Sequence, residues 1–144
     1  MARNVYALLV GIDSYPSPIR SLHGCANDIL HIEILLEERI AASGDTFRPK
    51  VLINSVATRQ AIIDGFRQHL RQAGAEDVAL FYYSGHGSQQ NSPPEFWHLE
   101  PDRLDETLVC YDSREPRTKR LAQNSLSPKA RSRLTLKAFS INWV

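Results

Sequence analysis

Three short apolar segments alternate with two helical patterns along the first 84 residues, and this alternation limits the possible folds more than any other feature. The apolar segments are Val5–Ile12, Pro49–Asn54 and Asp77–Tyr83. The first and the third are apolar almost throughout, which is typical of strands buried on both faces of a parallel sheet. We therefore predict that the three segments are strands of one sheet.

The two helical patterns lie between these strands. The first runs from about Asn27 to Ala42, with Asn27 or Asp28 as a natural N-cap, and its apolar stripe has helical spacing: Ile29, Ile32, Leu36 and Ile40. The second starts at Thr58 and ends before Gly74. Strands and helices in this order connect by right-handed crossovers. We predict an α/β fold, a three-layer αβα sandwich with a mostly parallel sheet.

The regular alternation stops after the third strand. Residues 84–102 are polar and contain three prolines, which predicts a loop, and Leu104–Tyr111 predicts one further short strand. Residues 1–112 carry nine Lys and Arg against fifteen Asp and Glu, net −6, whereas residues 113–144 carry eight against one, net +7. We predict a folded region over residues 1–113 and a weakly structured basic tail over residues 114–144.

Composition excludes several classes of protein. A length of 144 residues suggests one domain, and a formal net charge of +1 argues against a strongly basic nucleic-acid binder. The basic tail lacks interleaved aromatic residues and is interpreted as solvated. Two cysteines are too few for a disulfide framework, and the first apolar segment is too short to cross a membrane. We expect a cytoplasmic protein without nucleic-acid or membrane partners and without a signal peptide.

A histidine between two glycines follows the third strand directly. In open α/β sheets, functional residues collect at the carboxyl ends of strands. His86 therefore lies at a strand tip, where an imidazole that titrates near neutral pH can move protons. With a serine it would be a hydrolase base, with a cysteine a thiol-protease base, and with neither a metal ligand. The residues alone leave these alternatives open.

The start of the first helix carries a second group of candidates. Asp28 in a first helical turn complements the helix dipole, an effect on the order of 0.5–2 kcal/mol. Cys25 is more often a small buried hydrophobe than a nucleophile, although a helix N-terminus lowers a thiol pKa. Asp13 ends the first strand, as magnesium ligands do in phosphoryl-transfer enzymes. Tyr15, however, stands where a second carboxylate is needed, and no phosphate-binding loop occurs.

Four segments, in this order and spacing, resemble motifs of the caspase-like cysteine peptidases, and of the metacaspase branch in particular. They are Tyr6–Ile12, Leu22–Asp28, Phe81–Gly87 and Leu104–Asp112. The Tyr-Tyr-Ser-Gly-His-Gly sequence in the third is specific by itself, and the set of four is highly specific. The resemblance covers about residues 4–113 and implies a caspase-like fold and the large-subunit part of a catalytic domain.

The resemblance also implies roles for single residues. His86 looks like the general base of a Cys–His dyad, and Gly87 would donate its backbone N–H to the oxyanion hole. Asp28 looks like the acid at the floor of the S1 pocket, with Cys25 and Ser84 beside it. The implied substrate is a peptide or protein with Arg or Lys at the cleavage site. Asp105 resembles one ligand of the calcium site found in many metacaspases, and no other cofactor is required.

Three differences from the family pattern bear on activity. The family's nucleophile lies in an Asp-x-Cys-His-Ser-Gly-like segment, which this sequence lacks. The only cysteine after His86 is Cys110, at a place where the family usually has proline, and Cys25 in a pocket wall is poorly aligned for attack. Arg114–Arg120 stands where an acidic segment completes the calcium site. We therefore expect an incomplete caspase-like domain and a doubtful calcium site.

Two functions follow from this comparison. The first is a cysteine endopeptidase domain that cleaves after Arg or Lys and lacks its nucleophilic cysteine. The alternative is a non-catalytic caspase-like module that binds basic peptides or pairs with an intact relative. Caspase-like sheets have six strands, so the missing ones leave an unpaired edge. We accordingly expect the isolated chain to aggregate or to depend on a caspase-like partner chain.

Overall fold

The computed structural model describes residues 2–99 and 102–113. Its main elements are β1 (Asn4–Gly11), α1 (Cys25–Ala42), β2 (Thr46–Ile53), α2 (Arg59–Asp64), β3 (Val78–Ser84), β4 (Gly87–Asn91) and β5 (Leu104–Leu108). The predicted basic tail, residues 114–144, lies outside the described residues. None of the helices within the described ranges is long and apolar enough to span a bilayer.

The first three strands form a parallel sheet in the order β2-β1-β3, so the predicted α/β fold with a mostly parallel sheet is confirmed. The central strand, β1, is apolar because helices cover both of its faces. On one face Leu8 packs with Ile62 and Leu70 of the second helical segment, and on the other Leu9 packs with Ile29 of α1. The alternating side chains of one strand therefore hold together all three layers.

The first helix begins earlier than its sequence predicts. The predicted N-cap at Asn27 or Asp28 is wrong, because α1 starts at Cys25 with Gly24 as its N-cap, at a φ of 132°. Glycine tolerates that backbone angle and has no side chain with which to cap the helix. The cap comes from elsewhere in the chain, as described below. The second helix begins as predicted, with the Thr58 hydroxyl accepting a hydrogen bond from the N–H of Ala61 at 3.2 Å.

The second helix is longer than α2 itself. After Asp64 it widens into a π turn over Gly65–His69 and tightens into a 3-10 turn over Leu70–Gln72. These turns carry Leu70 and Phe66 to the sheet, where they join the cluster around Leu8. The helical pattern predicted from Thr58 to Gly74 is thus one continuous helical segment of changing pitch.

A second, antiparallel sheet follows β3, and it corrects the prediction of a loop over residues 84–102. Gly87–Asn91 is a strand, β4, which pairs with Leu104–Leu108, β5. Its residues are polar and mostly exposed, so it has neither the apolar run nor the alternation that marks a half-buried strand. Backbone hydrogen bonds between its two strands hold this ribbon together. The strand predicted over Leu104–Tyr111 ends at Leu108.

Both edges of the parallel sheet lack a partner strand within the described residues. Within residues 2–99 and 102–113, β3 pairs with β1 alone, so its other edge has no partner strand. Helix α1 also exposes three large apolar side chains: Leu30, Ile34 and Leu35. Unpaired edges of this kind are where further strands of a larger sheet would join.

Candidate active site

The carboxylate of Asp13 caps helix α1 across the sheet edge. Its Oδ1 accepts hydrogen bonds from the N–H groups of Gly24 at 3.0 Å and Cys25 at 2.8 Å, and its Oδ2 accepts one from Ala26 at 2.9 Å. Partial burial raises the pKa of Asp13, but these backbone N–H donors outweigh it and lower the pKa below its ordinary value. Both carboxylate oxygens of Asp13 therefore bind the start of the helix.

Asn54, at the end of β2, holds this carboxylate in place. The Asn54 Oδ1 accepts hydrogen bonds from the N–H groups of Asp13 at 2.8 Å and Ser14 at 3.0 Å. Asn54 has a φ of 50°, a left-handed conformation that asparagine tolerates better than most residues. The ends of β1 and β2 and the start of α1 are thus joined by side-chain hydrogen bonds.

The three residues expected around the S1 pocket lie together. The Ser84 hydroxyl donates a hydrogen bond to Oδ2 of Asp28 at 3.0 Å, which connects the end of β3 to the first turn of α1. Cys25 lies beside both and interacts with Ser84. Ser84 and Cys25 are buried, whereas Asp28 is exposed to solvent. Asp28 is therefore accessible to a cationic ligand while its second oxygen is held by Ser84.

Cys25 is the small buried residue that its type predicts, and the helix N-terminus does not lower the pKa of its thiol. Burial raises the pKa of Cys25, and the nearby carboxylates of Asp13 and Asp28 add to the increase, while the contact with Ser84 opposes it. A thiol with a raised pKa is a weak nucleophile at neutral pH. Cys25 therefore acts as a packing residue beside Asp28 and Ser84.

The imidazole of His86 is oriented by a backbone carbonyl. Its Nε2 lies 2.7 Å from the carbonyl oxygen of Arg20, in the loop between β1 and α1. A carbonyl oxygen can only accept, so Nε2 carries the hydrogen and neutral His86 keeps Nδ1 as its proton acceptor. This is the arrangement that a general base needs: one nitrogen fixes the ring and the other is available for proton transfer.

Gly87 occupies a position whose backbone N–H is not used in the ribbon. Val109 donates its N–H to the carbonyl oxygen of His86 at 3.0 Å, and Ser92 donates to Arg103 at 2.8 Å. Bonded and non-bonded pairs alternate in an antiparallel ladder, so the pair of Gly87 with Leu108 is a non-bonded one. The N–H of Gly87 therefore points away from β5, which suits a donor to a substrate oxygen.

A cleft of about 910 Å³ lies next to the base. His86 and Gly87 line it, together with residues of the Pro18–Arg20 loop and of the segment Thr107–Cys110. Cys25, Asp28 and Ser84 do not line it. The structure thus forms two groups of predicted residues, His86 with Gly87 and Asp28 with Cys25 and Ser84, which the chain connects through Gly85.

Cys110 lines the same cleft as His86 but is buried, with 9% of its surface exposed. Asp105 lies on β5 opposite Gln90, away from the other predicted residues. In the parts of the chain that the structure describes, no three His, Cys, Asp or Glu side chains are grouped to hold a metal ion. Calcium prefers six to eight oxygen ligands, so the described residues do not fit a calcium site at Asp105.

Three contributors to the site escaped prediction from the sequence. The strand-end position of Asp13 suggests a comparison with metal ligands and not a helix cap. Every residue has a backbone carbonyl, so the residue type of Arg20 does not indicate its contact with His86. Tyr15, whose ring centroid lies 5.0 Å from that of His86, follows the first strand in a proline-rich stretch. The usable signal was position, because Asp13 and Asn54 both stand at the carboxyl ends of parallel strands.

Comparison with known proteins gives one consistent result. The family model "Metacaspase, peptidase C14 domain" matches residues 6–127 of this chain. Metacaspase-1 of Lodderomyces elongisporus is 32% identical over 111 residues, 74% of this chain and 24% of the relative. Metacaspase-9 of Arabidopsis thaliana is 30% identical over 122 residues, 78% of this chain and 35% of the relative. The chain therefore spans about a quarter to a third of the length of these curated relatives.

A solved structure supports the fold. The crystal structure of a Geobacter sulfurreducens protein superposes with a TM-score of 0.59 and 26% sequence identity, over 75% of this chain and 39% of that one. Together with the family match, it confirms the caspase-like α/β architecture expected from the four sequence motifs.

Proposed function

This chain belongs to the metacaspase family of cysteine peptidases, and we propose that it forms the large-subunit part of an endopeptidase domain selective for Arg or Lys. In this proposal His86 is the general base, Gly87 an oxyanion donor and Asp28 the acid of the S1 pocket. The observation that carries the proposal is the 3.0 Å hydrogen bond from Ser84 to Asp28. This bond holds the solvent-exposed carboxylate of Asp28 beside the end of β3. The proposed base, His86, follows two residues later in the chain.

The chemistry then follows from the geometry. A substrate Arg or Lys side chain pairs with the free oxygen of Asp28, a charge-assisted bond that a neutral residue cannot replace. The Nδ1 of His86 takes the proton of a cysteine thiol, and the thiolate attacks the carbonyl carbon next to the basic residue. The N–H of Gly87 stabilises the oxyanion. His86 returns the proton to the leaving amine, and water releases the acyl group.

The sulfur in this scheme is proposed to come from a caspase-like partner chain. The sequence has two cysteines, Cys25 and Cys110. Both are buried, and burial raises the pKa of the Cys25 thiol. The open edge of β3 is the place where a partner strand bearing a cysteine would add to the sheet.

The second candidate function is a non-catalytic module that binds basic peptides. The buried state of both thiols favours it for the chain by itself. Asp28 and Ser84 suffice for recognition of a guanidinium or ammonium group, whereas hydrolysis needs a reactive thiolate. For both candidates we propose a cytoplasmic protein that requires no cofactor and does not depend on calcium.

Peptide binding tests the role of Asp28. A fluorescent peptide ending in Arg and its matched Gln peptide are titrated with the purified chain, and affinity is measured by fluorescence anisotropy. We expect the Arg peptide to bind and Asp28→Asn to weaken it at least about tenfold, the size of a lost charge-assisted hydrogen bond. Asp64→Asn is the matched control, because that carboxylate holds only Gln60. Equal binding of both peptides, or an unchanged Asp28→Asn affinity, refutes the proposal.

Turnover separates the two candidates. The chain is incubated with an Arg peptide substrate, with and without an intact metacaspase-like partner and with and without added calcium. Cleavage that disappears in His86→Ala supports the peptidase, and its dependence on the partner supports the proposed source of the sulfur. Cys25→Ser and Cys110→Ser show whether either thiol of this chain contributes. Binding without turnover in every mixture supports the module.

A further inference from the structure

Two buried tyrosine hydroxyls lie against the main chain of the base. Tyr15 follows β1 and Tyr83 lies in β3, and each has only 8% of its surface exposed. Their Oη atoms are 3.3 Å apart. Both hydroxyls contact backbone atoms of His86, a half-buried residue, so its polar contacts reach into the core of the domain.

The hydroxyl of Tyr15 replaces one backbone bond of the ribbon. In an antiparallel pair, two bonded residues exchange two N–H···O=C bonds. Val109 donates its N–H directly to the carbonyl of His86 at 3.0 Å. The return bond is not direct: the N–H of His86 donates to Tyr15 Oη at 3.0 Å, and that hydroxyl lies 3.2 Å from the Val109 carbonyl. Tyr15 is therefore inserted between the base and the neighbouring strand.

The hydroxyl of Tyr83 holds the carbonyl group of the same residue. It lies 2.8 Å from the carbonyl oxygen of His86 and 2.9 Å from that of Val109, and its single hydrogen is shared between these two acceptors. Burial raises the pKa of both tyrosine hydroxyls, so they remain protonated and act as donors at neutral pH. The N–H and the C=O of His86 are each fixed by a tyrosine that the core immobilises.

Gly85 provides the space for this arrangement. A Cβ atom at Gly85 would lie 2.6 Å from Tyr83 Oη and 2.7 Å from Tyr15 Oη, closer than carbon and oxygen can approach. The glycine before the base thus lets two hydroxyls reach the same stretch of backbone. The Tyr15 ring also packs beside the imidazole, at 5.0 Å between centroids and an interplanar angle of 49°.

We propose that Tyr15 and Tyr83 are positioning residues that fix the backbone of His86 and so keep its Nε2–H on the Arg20 carbonyl. The imidazole has one hydrogen bond of its own, to a loop carbonyl, and that bond persists only while the backbone beneath the ring stays in place. Loss of either hydroxyl lets the ring leave Arg20 and take up the other tautomer. The inference rests on the proposed role of His86 as the base, although its test needs no substrate.

The tautomer of His86 is measured by nitrogen NMR on a chain labelled with ¹⁵N-histidine. His86→Gln identifies the signals of the base. We expect the wild-type chain to carry its hydrogen on Nε2. In Tyr15→Phe or Tyr83→Phe, which keep the ring and remove the hydroxyl, we expect the Nδ1–H tautomer to increase about fivefold, the effect of one lost hydrogen bond.

The chain offers a matched control. Tyr6 packs against the ring of His69 at 5.6 Å, and His69 Nε2 lies 2.9 Å from the Arg48 carbonyl, so a second tyrosine–histidine–carbonyl group exists far from the site. Tyr6→Phe should leave His86 unchanged, and unchanged His69 signals show that the Tyr15 and Tyr83 variants are folded.

Three results overturn the proposal: no preferred tautomer in the wild type, an unchanged His86 tautomer in both folded variants, or an equal change in Tyr6→Phe. If one variant fails to fold, the other decides, because the two hydroxyls bind different groups of His86. Because no peptide is present, a negative result here leaves peptide recognition by Asp28 standing, and failed peptide binding leaves the tautomer result valid.

Discussion

The parallel sheet and the antiparallel ribbon of this protein are stabilised in different ways. The sheet is apolar, and its central strand β1 is buried by helices on both faces. The ribbon, β4 with β5, is polar and largely exposed, and its strands are held by backbone bonds. His86 lies between Ser84, the end of the sheet, and Gly87, the start of the ribbon. The position of His86 therefore depends on burial on one side and on hydrogen bonds on the other.

The largest expected effect is on the free energy of unfolding, and it compares one apolar residue from each region. Leu8 in β1 is fully buried, whereas Leu104 in the ribbon is only half-buried. We expect Leu8→Ala to lower the free energy of unfolding by about 3 kcal/mol, since it removes contacts and leaves a cavity. Leu104→Ala should cost about 1 kcal/mol or less. Urea denaturation followed by circular dichroism measures both, and similar losses would show that the ribbon is part of the core.

A smaller effect is expected where the two regions meet. Gly85→Ala places a methyl group against two immobile hydroxyls, so we expect a loss of about 1–3 kcal/mol, as for other overpacked sites. Gly74→Ala is the control, because its Cβ would meet only Asp77 at an ordinary 3.5 Å. If thermal unfolding shows the same stability for both variants, the tyrosine hydroxyls are free to move and the junction is not tightly packed.

The smallest expected effect concerns the cap on α1, and it depends on pH. Asp13→Ala removes the acceptor of three N–H groups, so we expect a loss of about 1–2 kcal/mol at neutral pH. The folded-state pKa of Asp13 lies below its ordinary value of 3.8, so this contribution is present above pH 3.8 and is lost as the pH falls through the lower folded value.

Denaturation at a series of pH values checks this. The difference in unfolding free energy between wild type and Asp13→Ala should be constant near neutrality and should shrink below about pH 4. Asp64→Ala, which removes a single side-chain bond to Gln60, is the control and should cost less at every pH. A difference that persists unchanged into acid would mean that the carboxylate charge does not stabilise the helix start.

The sequence predicted the elements around the buried strand β1 well, because buried segments are rich in apolar residues. The apolar segments of β1 and β3 and the stripe of α1 mark their elements, and the glycines around His86 mark the strand tip. The burial expected on both faces holds for β1 but is wrong for β3, an edge strand in which only Tyr83 and Ser84 are buried. The cap by Asp13 was not predicted, because its partners are backbone N–H groups eleven to thirteen residues away, which every residue except proline has.

The ribbon was not predicted for a related reason. Exposed polar residues such as Ser88 and Gln89 occur in loops and in solvated strands alike, so only the pairing partner decides between them. The assembly of Asp28 with Ser84 could be predicted through family motifs, but the contact of His86 with Arg20 could not, because any residue supplies a carbonyl.

The cap on α1 has a consequence for motion. In most helices the first amide hydrogens lack an acceptor within the helix and exchange rapidly with solvent. Here the amides of Gly24, Cys25 and Ala26 are bound to a carboxylate whose own backbone is held by Asn54. These amides can exchange only when the ends of two strands and a helix separate together. Hydrogen exchange at this helix start would therefore report the opening of this whole edge of the sheet as a single event.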